Sequence, residues 1–196
     1  MIKVVFSLFS LTSVVLVISL VLGGGTRAGY FGDVVAQLVA IPLLLLALWG
    51  HLRQSQQTGS RLGWEWVFVF GLILVFFIQL VPLPPALWST LSATPVGLGA
   101  TGETPIGAAW RTLSLTPHAT CAAAASLIPP LAIFSAVTQL DRASRLRLND
   151  VIVVFGALSC VIGFMQVAQG PVSWLRLFQF TNSSDAVGFF ANRNHF

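Results

Sequence analysis

The stretch VIVVFGALSCVIGFMQVAQ, Val151–Gln169, decides the fold, because it is largely apolar and carries no charged side chain. A helix rises about 1.5 Å per residue, so roughly 20 apolar residues cross the hydrocarbon core of a bilayer. Four further runs have the same character, at residues 4–22, 34–50, 64–81 and 120–140, with only Glu65 charged among them, in the first turn of its run. The sequence therefore predicts five transmembrane helices.

The composition agrees with a membrane protein. Hydrophobic residues make up 56% of the chain and charged residues 8%, and the mean hydropathy is +0.86, whereas an ordinary soluble domain has roughly 25% charged residues. The net charge of +4 comes from basic residues that lie mostly between the apolar runs, which indicates membrane topology rather than nucleic-acid binding. We predict an all-α integral membrane fold in one transmembrane domain, with membrane lipid as a partner and no nucleic-acid partner.

The short polar connections predict the orientation. HLRQSQQTGSRLG (51–63) and DRASRLRLND (141–150) together contain five arginines, and cytoplasmic loops are enriched in arginine and lysine. This places the N-terminus in the cytoplasm. The long loop 82–119, the tail 170–196 and the C-terminus are then extracytoplasmic.

Prolines interrupt two of the predicted spans. Pro42 and the pair Pro129-Pro130 each remove a backbone donor, and a kink is the simpler reading. The alternative is a broken helix that lines a binding site, as in some transporters. Thr116-Pro117 is typical of a helix start and predicts that the fourth helix begins there.

The segment GFFANRNHF, Gly188–Phe196, holds the candidate site. The guanidinium of Arg193 matches phosphate oxygens in bidentate fashion, while Asn192, Asn194 and His195 offer further hydrogen bonds. These four residues are predicted to bind a lipid-linked phosphate or diphosphate. The alternative is that Arg193 reaches the membrane interface and the asparagines cap a helix.

No motif of a nucleotide-binding loop, a zinc protease or a serine hydrolase occurs, and no pair of carboxylates suits glycoside hydrolysis. The sequence predicts no metal site and no cofactor. Its catalytic residues stay unidentified.

GFFANRNHF and a second segment, SLTPHAT (Ser114–Thr120), resemble segments of the O-antigen ligase and polymerase-like membrane proteins, and the similarity covers the chain from about residue 82 onward. The resemblance implies transfer or polymerisation of polyprenyl-diphosphate-linked glycans, onto an acceptor glycan or glycolipid, at the periplasmic face of the bacterial inner membrane. It also implies that arginines hold the diphosphate and that no metal is needed.

Members of that family have more spans than five and carry a histidine in a later periplasmic loop. The resemblance therefore implies that this chain is the N-terminal part of a larger polytopic glycosyltransferase-type fold, incomplete and inactive alone, and that His195 is not the catalytic histidine. Two other functions remain open, a transporter or channel component and a non-catalytic accessory membrane protein. Coupled transporters place ionisable groups within the membrane, and the cores of the five predicted spans contain none.

Overall fold

The computed structural model describes residues 2–25, 31–58, 63–87, 110–192 and 194. The chain is mostly helical. Its helices are α1 (Ile2–Leu22), α2 (Phe31–Thr58), α3 (Trp64–Leu80), α4 (Pro117–Ala125), α5 (Ile128–Val137) and α6 (Arg142–Gln169), and two short strands, β1 (Pro82–Leu83) and β2 (Arg111–Thr112), pair antiparallel.

Three helical segments within the described residues are long and apolar enough to cross a membrane: Phe31–Gln56, Pro117–Val137 and Arg142–Gln169. Leu8–Leu22 and Trp66–Leu80 are shorter apolar helices. An all-helical membrane protein is compatible with this architecture, while the predicted number of five spans and their orientation stay predictions.

Two helices extend beyond the spans predicted from sequence. Helix α2 begins before residue 34 and continues to Thr58, so most of the predicted polar connection after residue 50 is helical. Helix α6 begins at Arg142 rather than Val151, because the carboxylate of Asp141 accepts from the backbone N–H of Ser144 at 3.0 Å and caps the helix. Hydropathy marks the apolar stretch of such helices and misses their polar ends.

The predicted fourth span is divided in two. Helix α4 begins at Pro117, as predicted, and a turn at Ser126-Leu127 separates it from α5. Pro129 and Pro130 follow this turn and have no N–H with which to continue the helical ladder. The interruption therefore comes before the proline pair, where the missing donors act.

The molecule forms two compact units, residues 1–61 with 126–196 and residues 62–125. In the first unit, α1, α2, α5 and α6 share a core that includes Val15, Ala40, Leu43, Ala132 and Ala136. Small side chains allow helices to approach closely without a large loss of packing. A hydrogen bond adds to this packing, because the Nε2 of Gln139 donates to the carbonyl of Ala47 on α2 at 2.8 Å.

The second unit contains α3, α4 and the strand pair. Trp66 and Val69 are the buried apolar side chains of α3 among those described, and most of its other apolar side chains are exposed. The backbone N–H of Ser114 donates to the carbonyl of Gln79 at 3.0 Å, so the segment that follows β2 is fixed to the end of α3.

Candidate functional site

A buried glutamine on α6 holds the segment that follows this helix, Gly170–Asn192, which we call the docked tail. The Nε2 of Gln166 donates to the carbonyls of Leu175 at 3.0 Å and Gly188 at 2.8 Å. Its Oε1 accepts from the backbone N–H groups of Val187 at 3.1 Å and Gly188 at 2.9 Å. Both amide donors and both acceptor positions are used. Gln166 is fully buried, so its role is to fix the docked tail.

The far end of the docked tail packs against α6 and the end of α1. The ring of Phe189 stacks on Phe155 with centroids 4.5 Å apart, and its backbone N–H donates to the hydroxyl of Ser159 at 3.3 Å. The N–H of Ala191 donates to the carbonyl of Gly24 at 2.9 Å. A Cβ at Gly24 would lie 2.8 Å from the carbonyl oxygen of Phe189, so this approach requires glycine.

Arg176 lies within the docked tail and uses only part of its guanidinium there. Its Nη1 donates to the carbonyls of Asn182 at 2.6 Å and Asp185 at 3.0 Å. Its Nε and Nη2 are buried and have no hydrogen-bond partner in the part of the chain that the structure describes. The Nη1 hydrogen bonds therefore position the side chain, and the N–H donors of Nε and Nη2 are left without an acceptor in the described chain.

The remaining Nε–Nη2 edge has the geometry of an oxyanion contact. Its two N–H groups point in the same direction and form a planar fork that pairs with two oxygens of a phosphate or carboxylate. A buried charge without a counter-ion is unfavourable. An anion bound at this edge of Arg176 would supply both the acceptors and the missing charge.

The structure brings two of the four predicted site residues together. The backbone N–H of Asn194 donates to the Oδ1 of Asn192 at 3.0 Å, a local hydrogen bond between residues two positions apart. Arg193 and His195 lie outside the described residues. Their predicted contact with a phosphate stays a prediction.

The sequence analysis missed Arg176 and Gln166. An isolated amide within an apolar run, as at Gln166, is the signal that could have indicated an internal hydrogen-bonding role. Arg176 gave no such signal, because its importance depends on the carbonyls of Asn182 and Asp185, which a turn of the tail brings to it.

Among the described residues, no group of three His, Cys, Asp or Glu side chains is placed to hold a metal ion. Comparison with known protein families, curated proteins and solved structures gives no match. The resemblance to the O-antigen ligase-like proteins therefore stays a prediction from two segments.

Proposed function

We propose that this chain binds the diphosphate of a polyprenyl-linked glycan and serves glycan transfer or polymerisation in the bacterial inner membrane. The observation that carries the proposal is the buried Nε–Nη2 edge of Arg176, which has no partner in the described chain. A diphosphate offers several anionic oxygens to such a fork. GFFANRNHF and SLTPHAT resemble segments of the O-antigen ligase-like proteins, and this resemblance suggests that the diphosphate belongs to a polyprenyl-linked glycan.

The predicted topology supports this location. With five spans and arginine-rich connections in the cytoplasm, the docked tail lies on the periplasmic side, where the family resemblance places glycan transfer. The acceptor is a glycan or glycolipid in this proposal. Ligation and polymerisation use the same kind of donor, so the diphosphate site serves either reaction.

Arg176 binds and does not exchange protons in this scheme. An arginine side chain does not lose its proton in proteins, so it cannot act as the general base that activates an acceptor hydroxyl. Its contribution is to hold the leaving diphosphate and to offset the negative charge that develops there. Arg193, which follows the docked tail in the sequence, is the second predicted contact.

The transporter hypothesis gains one observation from the fold. Asp33 lies in the first turn of α2, inside a segment long and apolar enough to cross a membrane, whereas the predicted span began at Val34. A carboxylate at this place is the kind of group that coupled carriers use. Binding of polyprenyl diphosphate distinguishes the two functions, since a carrier of small ions does not require it.

The experiment compares Arg176→Lys with Arg145→Lys, a matched change at an exposed arginine on α6. Each protein, in lipid nanodiscs, is titrated with undecaprenyl diphosphate, and binding is followed by native mass spectrometry. We expect Arg176→Lys to bind about tenfold more weakly, equivalent to about 1.4 kcal/mol, because lysine keeps the charge and loses the fork. Arg145→Lys should bind like the parent protein.

Hydrogen exchange at Val187 and Gly188 reports whether the docked tail is intact in Arg176→Lys, since both amides donate to Gln166. Weaker binding with protected amides supports the proposal. Unchanged binding in Arg176→Lys contradicts it, as does an equal loss in Arg145→Lys.

A further inference from the structure

A second polar site lies in the first unit, and none of its lining residues belongs to the docked tail. A cavity of about 190 Å³ opens between the end of α1, the start of α2 and the turn before α5. Its lining includes the polar residues Ser19, Asp33, Gln37 and Ser126. Ala36 and Pro129 are apolar lining residues. Polar side chains are scarce in this chain, so their convergence here requires an explanation.

Three of these polar groups make no hydrogen bond through their side chains within the described chain. Within the described residues, the hydroxyl of Ser19 is buried and has no hydrogen-bond partner, and no hydrogen bond or ion pair is made by the carboxylate of Asp33 or the amide of Gln37. Two other hydroxyls on α1 behave differently, since Thr12 and Ser13 donate to the carbonyls four residues earlier. Buried polar groups are normally satisfied, so the exception at Ser19 indicates a site for a bound group.

The charge and the atoms of the lining select the class of ligand. Among the described residues, Asp33 is the one ionisable residue of the lining and no basic residue lines the cavity, so a cation is favoured over an anion. The oxygens of Asp33, Ser19 and Gln37 give three kinds of acceptor. A primary ammonium group has three N–H donors and no acceptor, and this matches the three oxygens.

The size of the cavity favours an ammonium group on a short carbon body over a bare metal ion. A cavity of about 150 Å³ accommodates benzene, so 190 Å³ accommodates a ligand of similar or slightly greater size. No group of three His, Cys, Asp or Glu in the described chain could hold a metal here. The apolar walls at Ala36 and Pro129 suit the methylene groups of such a ligand.

The break between α4 and α5 helps to form this cavity. Pro129 and Pro130 cannot donate to the carbonyls of the residues four positions earlier, and the helix is interrupted at Ser126-Leu127. Ser126 and Pro129 consequently form part of the cavity wall. Leu127 keeps helical backbone angles between the two helices, and the kink and the broken helix both stay predictions for this region.

We propose that this cavity binds a primary ammonium group carried by an aminoethyl head group. Two sources share this chemistry, the head group of an ethanolamine phospholipid and a small free amine. The proposal is independent of diphosphate binding, because it uses none of the residues of the docked tail.

The test uses the whole chain in phosphatidylcholine nanodiscs and measures the unfolding temperature as ethanolamine or choline is added. Ethanolamine should raise the unfolding temperature, since a ligand that binds only the folded state stabilises it. Choline has the same charge and no N–H donor, and we expect it to bind at least tenfold more weakly. A second set of nanodiscs contains phosphatidylethanolamine and no free amine.

Two variants test the cavity. Asp33→Asn removes the charge, and Ser19→Ala removes a hydroxyl that has no hydrogen-bond partner among the described residues. Ser13→Ala is the control, because its hydroxyl bonds within α1 and does not line the cavity. We expect Asp33→Asn to abolish the ethanolamine effect, Ser19→Ala to weaken binding several-fold, and Ser13→Ala to leave it unchanged. If Asp33→Asn does not fold, Ser19→Ala carries the test.

Stabilisation by phosphatidylethanolamine alone identifies a lipid ligand, and stabilisation by ethanolamine in phosphatidylcholine identifies a free amine. Either result supports the proposal if the stabilisation is smaller in Ser19→Ala than in the parent protein. Equal effects of choline and ethanolamine, an effect unchanged in Asp33→Asn or in Ser19→Ala, or no effect from either source would overturn it.

Discussion

Gln166 and Ser19 are both polar side chains on largely apolar helices, and they differ in what surrounds them. Gln166 uses all of its hydrogen-bonding capacity on the backbone of the docked tail. Ser19 lines a cavity, and its buried hydroxyl has no hydrogen-bond partner within the described residues. A satisfied polar group stabilises the fold, and an unsatisfied one costs free energy unless something binds it. Arg176 combines the two, since one edge is satisfied and the other is not.

The largest effect is expected from Gln166→Leu. The substitution removes four hydrogen bonds and leaves the N–H groups of Val187 and Gly188 unsatisfied in a buried place, at about 1–3 kcal/mol for each buried group. We expect the docked tail to separate from α6, so the amides of residues 187–191 should exchange with solvent much faster.

The matched control for this change is Gln37→Leu. Gln37 is also an amide on an apolar helix, and its side chain makes no hydrogen bond within the described chain. Hydrogen exchange in the docked tail should stay as in the parent protein. Equally fast hydrogen exchange of the docked tail in Gln166→Leu and Gln37→Leu would contradict the claim that the hydrogen bonds of Gln166 hold the tail.

A smaller effect is expected from Gly24→Ala. Its new methyl group would approach the carbonyl of Phe189 to 2.8 Å, and such overpacking costs typically about 1–3 kcal/mol. The contact between Gly24 and Ala191 should weaken, which hydrogen exchange at Ala191 measures. Gly156→Ala on α6 meets no atom within 4 Å, so helix propensity alone should make it neutral or slightly stabilising.

The smallest effect concerns an exposed and satisfied group, Asp141. The hydrogen bonds from Ser144 lower the pKa of this carboxyl below its usual value. Because the pKa is lower in the folded protein, the capping contribution is present above the unfolded value of about 3.9 and is lost as the pH falls through the folded pKa.

Asp141→Ala should therefore slightly lower the unfolding temperature at pH 7, and the difference from the parent protein should vanish at low pH. Asp150→Ala changes another exposed carboxylate in the first three turns of the same helix and serves as the control. A difference between Asp141→Ala and the parent that does not depend on pH would contradict this assignment.

The apolar runs were enough to predict where helices occur, because hydropathy and length depend on local sequence. The end of α6 at Gln169 and the start of α4 at Pro117 agree with the prediction, since glycine and proline are local signals. The polar ends of α2 and α6 were missed, because a capped helix can continue beyond the apolar stretch. The pairing of β1 with β2 was also missed, since it joins segments far apart in sequence.

The candidate sites were less accessible to sequence reasoning. The interruption before Pro129 was considered from the proline pair, but the cavity beside it depends on Asp33 and Ser19 from other helices. Likewise, nothing adjacent to Arg176 in sequence indicates that two carbonyls hold one edge of its guanidinium. Both sites arise from contacts between distant segments, and local patterns do not encode those contacts directly.

The most direct test of the diphosphate proposal is the NMR signal of the Arg176 Nε–H group in nanodiscs, recorded before and after addition of undecaprenyl diphosphate. The account predicts that this signal shifts and that its hydrogen exchange slows, while the signal of Arg145 stays unchanged. An Arg176 signal that does not respond while the lipid is bound would show that the diphosphate is held elsewhere.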